Sequence, residues 1–218
     1  MIIIDAYQNL LEECKAKSVT LVAVSKTKPV EDILEMYKLG QRDFGENYVQ
    51  ELLEKQQQLP KDIRWHFIGH LQTNKIKQII SFVHLIHGVD SWKLLSEIDK
   101  QSQKINKIAN CLLQIHIAQE ETKFGLGEDE LNDIIRQLDN SAMKHVNILG
   151  LMGMASFTTD ENQIRKEFHY LKSLQKKFST VNFQLSILSM GMTADCKIAI
   201  EEGSNMIRVG SLIFGSRI

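Results

Sequence analysis

Lys26 stands at the end of the apolar run Val19-Thr20-Leu21-Val22-Ala23-Val24-Ser25, directly before Thr27-Lys28-Pro29. An amine in that place either reaches out to water or is held in a cleft. In a cleft, loss of hydration lowers its pKa and exposes a nucleophilic nitrogen. Lys28 is the rival amine, because residues two apart on an extended strand point the same way. Near the other end of the chain, Arg208 alternates with apolar residues in Met206-Ile207-Arg208-Val209, a pattern that turns it inward. An inward guanidinium needs a partner, either a carboxylate from a neighbouring strand or a heteroaromatic nitrogen of a bound cofactor. Two turns accompany it, Ser189-Met190-Gly191-Met192-Thr193 and Arg208-Val209-Gly210-Ser211. Their glycines let backbone N–H groups approach a ligand, their hydroxyls add donors, and a following helix adds positive potential. They read as a phosphate cradle or as two ordinary capped turns.

Other reactive residue types carry less. His66 and His70 are four apart, but on a strand and its turn, with no acidic helper between them. His84, His87, His116, His145 and His169 show no ligand spacing, so no metal site is expected. Cys14, Cys111 and Cys196 are odd in number and far apart, which fits neither a disulfide framework nor a zinc knuckle. Cys111 reads as inert core.

Lys26 and Arg208 lie 182 residues apart, so only a closed or wound sheet brings them together. The run ending at Ser25 is β-branched and short, which reads as a buried strand. Pro29 and Glu31-Asp32 then open a helix that Gly40 closes. Further strand-like runs are Arg42 to Gly45, Arg64 to Ile68, Val83 to Gly88, Ala109 to Ile117, Val146 to Met152, Phe183 to Leu188 and Met206 to Val209. Amphipathic stretches alternate with them: Glu46 to Gln58, Leu71 to Ile80, Ser91 to Asn106, Glu128 to Leu138 and Asn162 to Phe178. Alternation implies parallel strands joined by right-handed crossovers. Eight such units in 218 residues predict a single α/β TIM (β/α)8 barrel over residues 1–218, with a doubly wound open sheet as the alternative. In a barrel, function gathers at the carboxyl ends of the strands. Those ends carry Lys26, Asn47, His70, Asp90, His116, Met154 and both glycine turns.

Composition narrows the class. A net charge of −1 and the absence of long basic clusters argue against a nucleic-acid partner. The apolar stretches are too short for a membrane span, and Met1-Ile2-Ile3-Ile4-Asp5 lacks the positive start of a signal peptide. A cytoplasmic, monomeric protein with no membrane partner is expected.

Pyridoxal 5′-phosphate needs an amine, a phosphate cradle and a partner for its pyridine nitrogen. At these residues the chain resembles the pyridoxal phosphate homeostasis protein family, of the fold-type III barrel class seen in alanine racemase. The matching segments include Ala23-Val24-Ser25-Lys26-Thr27-Lys28-Pro29, Phe44-Gly45-Glu46-Asn47-Tyr48-Val49-Gln50-Glu51, Trp65-His66-Phe67-Ile68-Gly69, Leu71-Gln72-Thr73-Asn74-Lys75, Gly150-Leu151-Met152, Leu188-Ser189-Met190-Gly191-Met192 and Val209-Gly210-Ser211-Leu212-Ile213-Phe214-Gly215. The resemblance implies that Lys26 carries the cofactor as a Schiff base and that Arg208 faces the pyridine nitrogen. It also implies that Ser189, Gly191, Met192, Thr193 and Gly210 surround the phosphate, with Asn47 beside the ring and Met154 on one ring face. A short N-terminal helix, Thr193 where serine is common, and His70 are its departures from the family.

Racemisation in the alanine racemase relative uses a second base from a separate domain, and this chain ends at Ile218 directly after the eighth unit. A guanidinium partner also leaves the pyridine ring unprotonated. The expected function is therefore buffering, delivery or sensing of pyridoxal phosphate, with apo forms of enzymes that use it as recipients and no catalytic residue assigned. The alternatives are a fold-type III amino-acid racemase or lyase and a Schiff-base aldolase.

Overall fold

The computed structural model describes residues 2–120, 122–179 and 183–215; Met1 and Ile218 lie outside them. Its eight strands are β1 (Thr20–Val24), β2 (Asp43–Glu46), β3 (Arg64–Phe67), β4 (Leu85–Val89), β5 (Ala109–Ile115), β6 (Val146–Gly153), β7 (Ile187–Ser189) and β8 (Met206–Val209). All pair in parallel, in sequence order, and β8 returns to β1 to close the barrel. The closing register sets Val22 opposite Arg208, which places Lys26 and Arg208 on the same rim. The barrel is the expected one, and the open sheet is excluded.

The helices are α1 (Ile4–Ala16), α2 (Val30–Lys38), α3 (Val49–Gln58), α4 (Ile76–Ile79), α5 (Trp92–Lys104), α6 (Glu128–Asp139), α7 (Glu161–Phe178), α8 (Cys196–Glu201) and α9 (Ser211–Phe214). α7 shows how the sequence writes one. The Asp160 side chain accepts from the Asn162 and Gln163 N–H groups at its start, satisfying orphan donors there. Ile164, Phe168, Leu171, Leu174 and Phe178 then recur at helical spacing and are buried against the sheet. α1 runs 13 residues, and the Ile3 N–H donates to the Ile213 carbonyl at 2.8 Å, tying it to α9.

Strand residues alternate between two cores, as their period of two requires. Leu21, Ala23, Ile207 and Val209 face the helices. Val22, Leu85, Leu112, Met152 and Met206 fill the barrel. Two strands start later than their apolar runs suggest. Leu185 spends its carbonyl on Gln175 Nε2 (2.7 Å) and its N–H on Ser179 Oγ (3.3 Å), so β7 begins only at Ile187. The Val83 N–H donates to Ile79 as the end of α4 (2.9 Å), which delays β4 to Leu85.

Candidate functional site

A cavity of about 1000 Å³ opens at the carboxyl rim of the barrel. Lys26, Asn47, Met154, Met192, Thr193, Arg208 and Gly210 all line it, so residues from β1 to β8 converge as expected. Lys26 does not sit on extended strand. The Lys28 N–H donates to the Ser25 carbonyl at 3.0 Å, closing a turn with Lys26 and Thr27 at its centre, and Thr27 takes φ +63°. The two lysines are thus joined by a turn and not by extended strand, which removes the premise on which they were expected to point the same way. Lys28 also lines the cavity, but its Nζ donates to the Phe214 carbonyl at 2.9 Å.

Asn47 reaches the rim because Gly69 lets β3 end close beside β2. A Cβ on Gly69 would lie 2.3 Å from the Asn47 carbonyl oxygen. The Asn47 Oδ1 is buried and has no hydrogen-bond partner among the described residues.

Arg208 is inward, as its alternation predicts, and 4 % exposed. Its protein partners are not the anticipated carboxylate but a hydroxyl and a carbonyl. One Nη donates to Ser189 Oγ at 2.7 Å and the other to the Gly153 carbonyl at 3.1 Å. A guanidinium only donates, so the Ser189 hydroxyl proton is free to go to His87 Nδ1 (3.2 Å). Burial holds His87 well below the usual histidine pKa, hence neutral. Its Nε2–H therefore donates to His66 Nδ1 (2.9 Å), and His66 Nε2–H donates to Asp43 Oδ1 (3.0 Å). Every bond in this chain runs one way, from Arg208 at the cavity to a carboxylate at the far end of the barrel, where Arg64 also donates. Burial lowers Arg208 to about 10, partly offset by Asp195, so it stays charged at neutral pH. Burial alone would raise Asp43, but hydrogen bonds from His66 and Arg64, with the Arg64 charge, bring it down to about 2.

The turns after β7 and β8 meet at the same wall. The Ser211 hydroxyl donates to Thr193 Oγ1 at 3.2 Å. Gly191 takes φ +97°, and a Cβ there would sit 2.6 Å from that of Ala199. This glycine shapes the turn and accepts from the Arg208 N–H at 2.9 Å; it does not line the cavity. Ser189 is fully buried behind Arg208. Asp195 also lines the cavity; burial raises its pKa, against the Met192 N–H that it accepts.

Several lining residues carried no signal in the sequence. Lys123 comes from the loop after β5, and Ala155 to Thr159 come from the loop after β6. These loops are joined by Glu120 Oε1 to the Phe157 N–H (2.7 Å) and by Ser156 Oγ to the Gln119 N–H (2.9 Å), pairings between residues far apart in sequence. A shallower cavity of about 450 Å³ holds Asp90 and His116 and shares Lys123 with the main one. His70 lies beside it, paired with Asp90 at 3.2 Å. Among the described residues that line the main cavity, Lys26, Lys28, Lys123 and Arg208 face one carboxylate, Asp195. Its field favours an anionic ligand.

A family model described as alanine racemase, N-terminal domain, matches residues 3–218. A pyridoxal phosphate homeostasis protein of Pasteurella multocida is 39% identical over 219 residues, spanning 96% of this chain and 92% of its own. A protein of the same description from Pongo abelii is 41% identical over 90% of this chain and 76% of its own. The solved structure of PipY from Synechococcus elongatus without PLP is similar with a TM-score of 0.90 and 34% identity, covering 98% of this chain and 100% of that one. The same protein with PLP bound gives 0.82 and 35%, over 91% and 93%.

Proposed function

The chain belongs to the family of the alanine racemase N-terminal domain and the pyridoxal phosphate homeostasis proteins, and from there we propose that it holds pyridoxal 5′-phosphate in the rim cavity as a carrier. The observation that carries this reading is the convergence of Lys26, Arg208 and the Thr193–Gly210 wall on one cavity where, among the described residues, basic groups outnumber the single carboxylate. The buried, unpartnered Oδ1 of Asn47 on the same wall supports it, since a ligand donor would satisfy that atom.

The residues fit the cofactor's parts. Lys26 is its covalent anchor, standing just past the end of β1 on the cavity wall that Arg208 and Thr193 share. Thr193, Ser211 and the backbone at Gly210 hold the phosphate, with Met192 beside them and Gly191 shaping that wall. Arg208, steadied by Ser189, meets the ring nitrogen, while Asn47 and Met154 bound the ring. When bound, pyridoxal phosphate supplies an aldehyde that a lysine amine attacks with loss of water, producing a visible chromophore. Arg208 remains a charged donor with no lone pair to accept a proton, which suits holding the cofactor better than driving carbanion chemistry. Recipients are apo forms of enzymes that use the cofactor.

Titration with pyridoxal phosphate tests the reading. The unmodified protein develops a visible absorption band at stoichiometric cofactor, and Lys26→Ala does not. An unmodified protein without that band contradicts the proposal.

A further inference from the structure

The turn that bears Lys26 is gripped by charged side chains that do not line the cavity. The Ser25 carbonyl, on one side of Lys26, accepts from the Lys28 N–H and from Lys55 Nζ at 2.7 Å. The Thr27 N–H, on the other side, donates to Glu51 Oε1. The Ser25 hydroxyl donates to Glu46 Oε1 at 2.7 Å. Lys55 joins the set, with its Nζ 2.7 Å from Glu46 Oε1 and 2.6 Å from Glu51 Oε1. Lys55 and Glu46 are 4 % and 0 % exposed, and burial raises the Glu46 pKa against the pull of Lys55.

Stability alone is a poor explanation for this cluster. A buried ion pair seldom outperforms apolar side chains of the same volume. What the cluster does, and apolar residues would not, is fix two peptide planes. The Ser25–Lys26 plane is set through the Ser25 carbonyl and the Lys26–Thr27 plane through the Thr27 N–H. Together these determine the backbone dihedrals of Lys26. They also hold Thr27 at φ +63°, a region that β-branched residues avoid unless the surroundings impose it.

We propose that Glu46, Lys55 and Glu51 are positioning residues, a charged clamp that presents the Lys26 amine in one orientation to an aldehyde in the cavity. The proposal rests on the reading of Lys26 as the anchor. Orientation of reacting groups governs rate steeply, and a site is only as well placed as the residues behind it.

Glu51 is the member to vary, because it lies in the first turn of α3 and is partly exposed. Glu51→Ala removes the acceptor, Glu51→Asp keeps the charge but falls short by one methylene, and Glu51→Gln keeps an oxygen in place. Glu51→Asp carries the test if Glu51→Ala does not fold. Two measurements on the full chain are compared: hydrogen exchange of the Thr27 amide before any cofactor is added, and the rate of adduct formation with pyridoxal phosphate. The clamp predicts that Glu51→Ala and Glu51→Asp exchange Thr27 about tenfold faster and form the adduct about tenfold more slowly, with Glu51→Gln within about twofold of the unmodified chain. Adduct rates in Glu51→Ala and Glu51→Asp equal to that of the unmodified chain overturn the clamp while leaving the anchor intact. An unmodified chain that forms no adduct at all removes the anchor, and the clamp with it.

Discussion

Lys26 and Lys28 carry the same amine and differ only in surroundings. Lys28 Nζ is spent on a carbonyl of the final turn, and Lys26 sits at the centre of a pinned turn. The strand-end position of Lys26 was legible from a short β-branched apolar run, and the inward turn of Arg208 from a period of two. The partners of Arg208 were not. Ser189, His87 and His66 come from three strands, and only barrel closure puts them in line with Asp43. That line has a pH signature. Asp43 has a folded pKa of about 2 against an ordinary 3.8, so its stabilisation is fully present above pH ~4 and is lost as pH falls towards ~2. Urea unfolding should show Asp43→Asn less stable than the parent by about 2 kcal/mol at pH 6, with the gap closing near pH 2. A gap that stays constant with pH would show that Asp43 does not act as a paired carboxylate.

The elements that build the wall proposed to hold the phosphate are the short β7 and β8 and the turns behind them. Glycine and hydroxyl residues at both turns singled these turns out in the sequence. What the sequence did not show is the division of labour within it: Thr193 and Gly210 line the cavity, while Ser189 and Gly191 stand behind it. If the wall holds a phosphate, pyridoxal without its phosphate binds far more weakly, since each charge-assisted bond contributes ~1.5–3 kcal/mol. Thr193→Ala should weaken pyridoxal phosphate about tenfold by equilibrium titration, the loss of one such bond. Equal affinity for the two compounds would move the phosphate away from β7 and β8. The loops after β5 and β6 were illegible for a different reason. Their contribution rests on contacts between Glu120 and Phe157 and between Gln119 and Ser156, which no local periodicity encodes.

For the molecule as a whole, alternation of strand and helix was enough to predict a closed barrel, and closure was enough to bring residues 182 positions apart to one rim. The charged clamp behind Lys26 was beyond that reach, because Glu46, Glu51 and Lys55 read singly as ordinary residues of a strand end and a helix. The whole-molecule prediction concerns carrier against catalyst. Amino acids incubated with the loaded protein in deuterated water should gain almost no deuterium at the α-carbon. Exchange near an ordinary enzymatic turnover of ~10 per second would make the chain an enzyme instead. Behind both outcomes stands the anchor, and one measurement reaches it directly. The protein is mixed with pyridoxal phosphate, reduced with borohydride and digested, and the modified peptide is located by mass spectrometry. The adduct should fall on Lys26 at one per chain; an adduct on Lys28 or Lys123 with Lys26 unmodified would contradict the account.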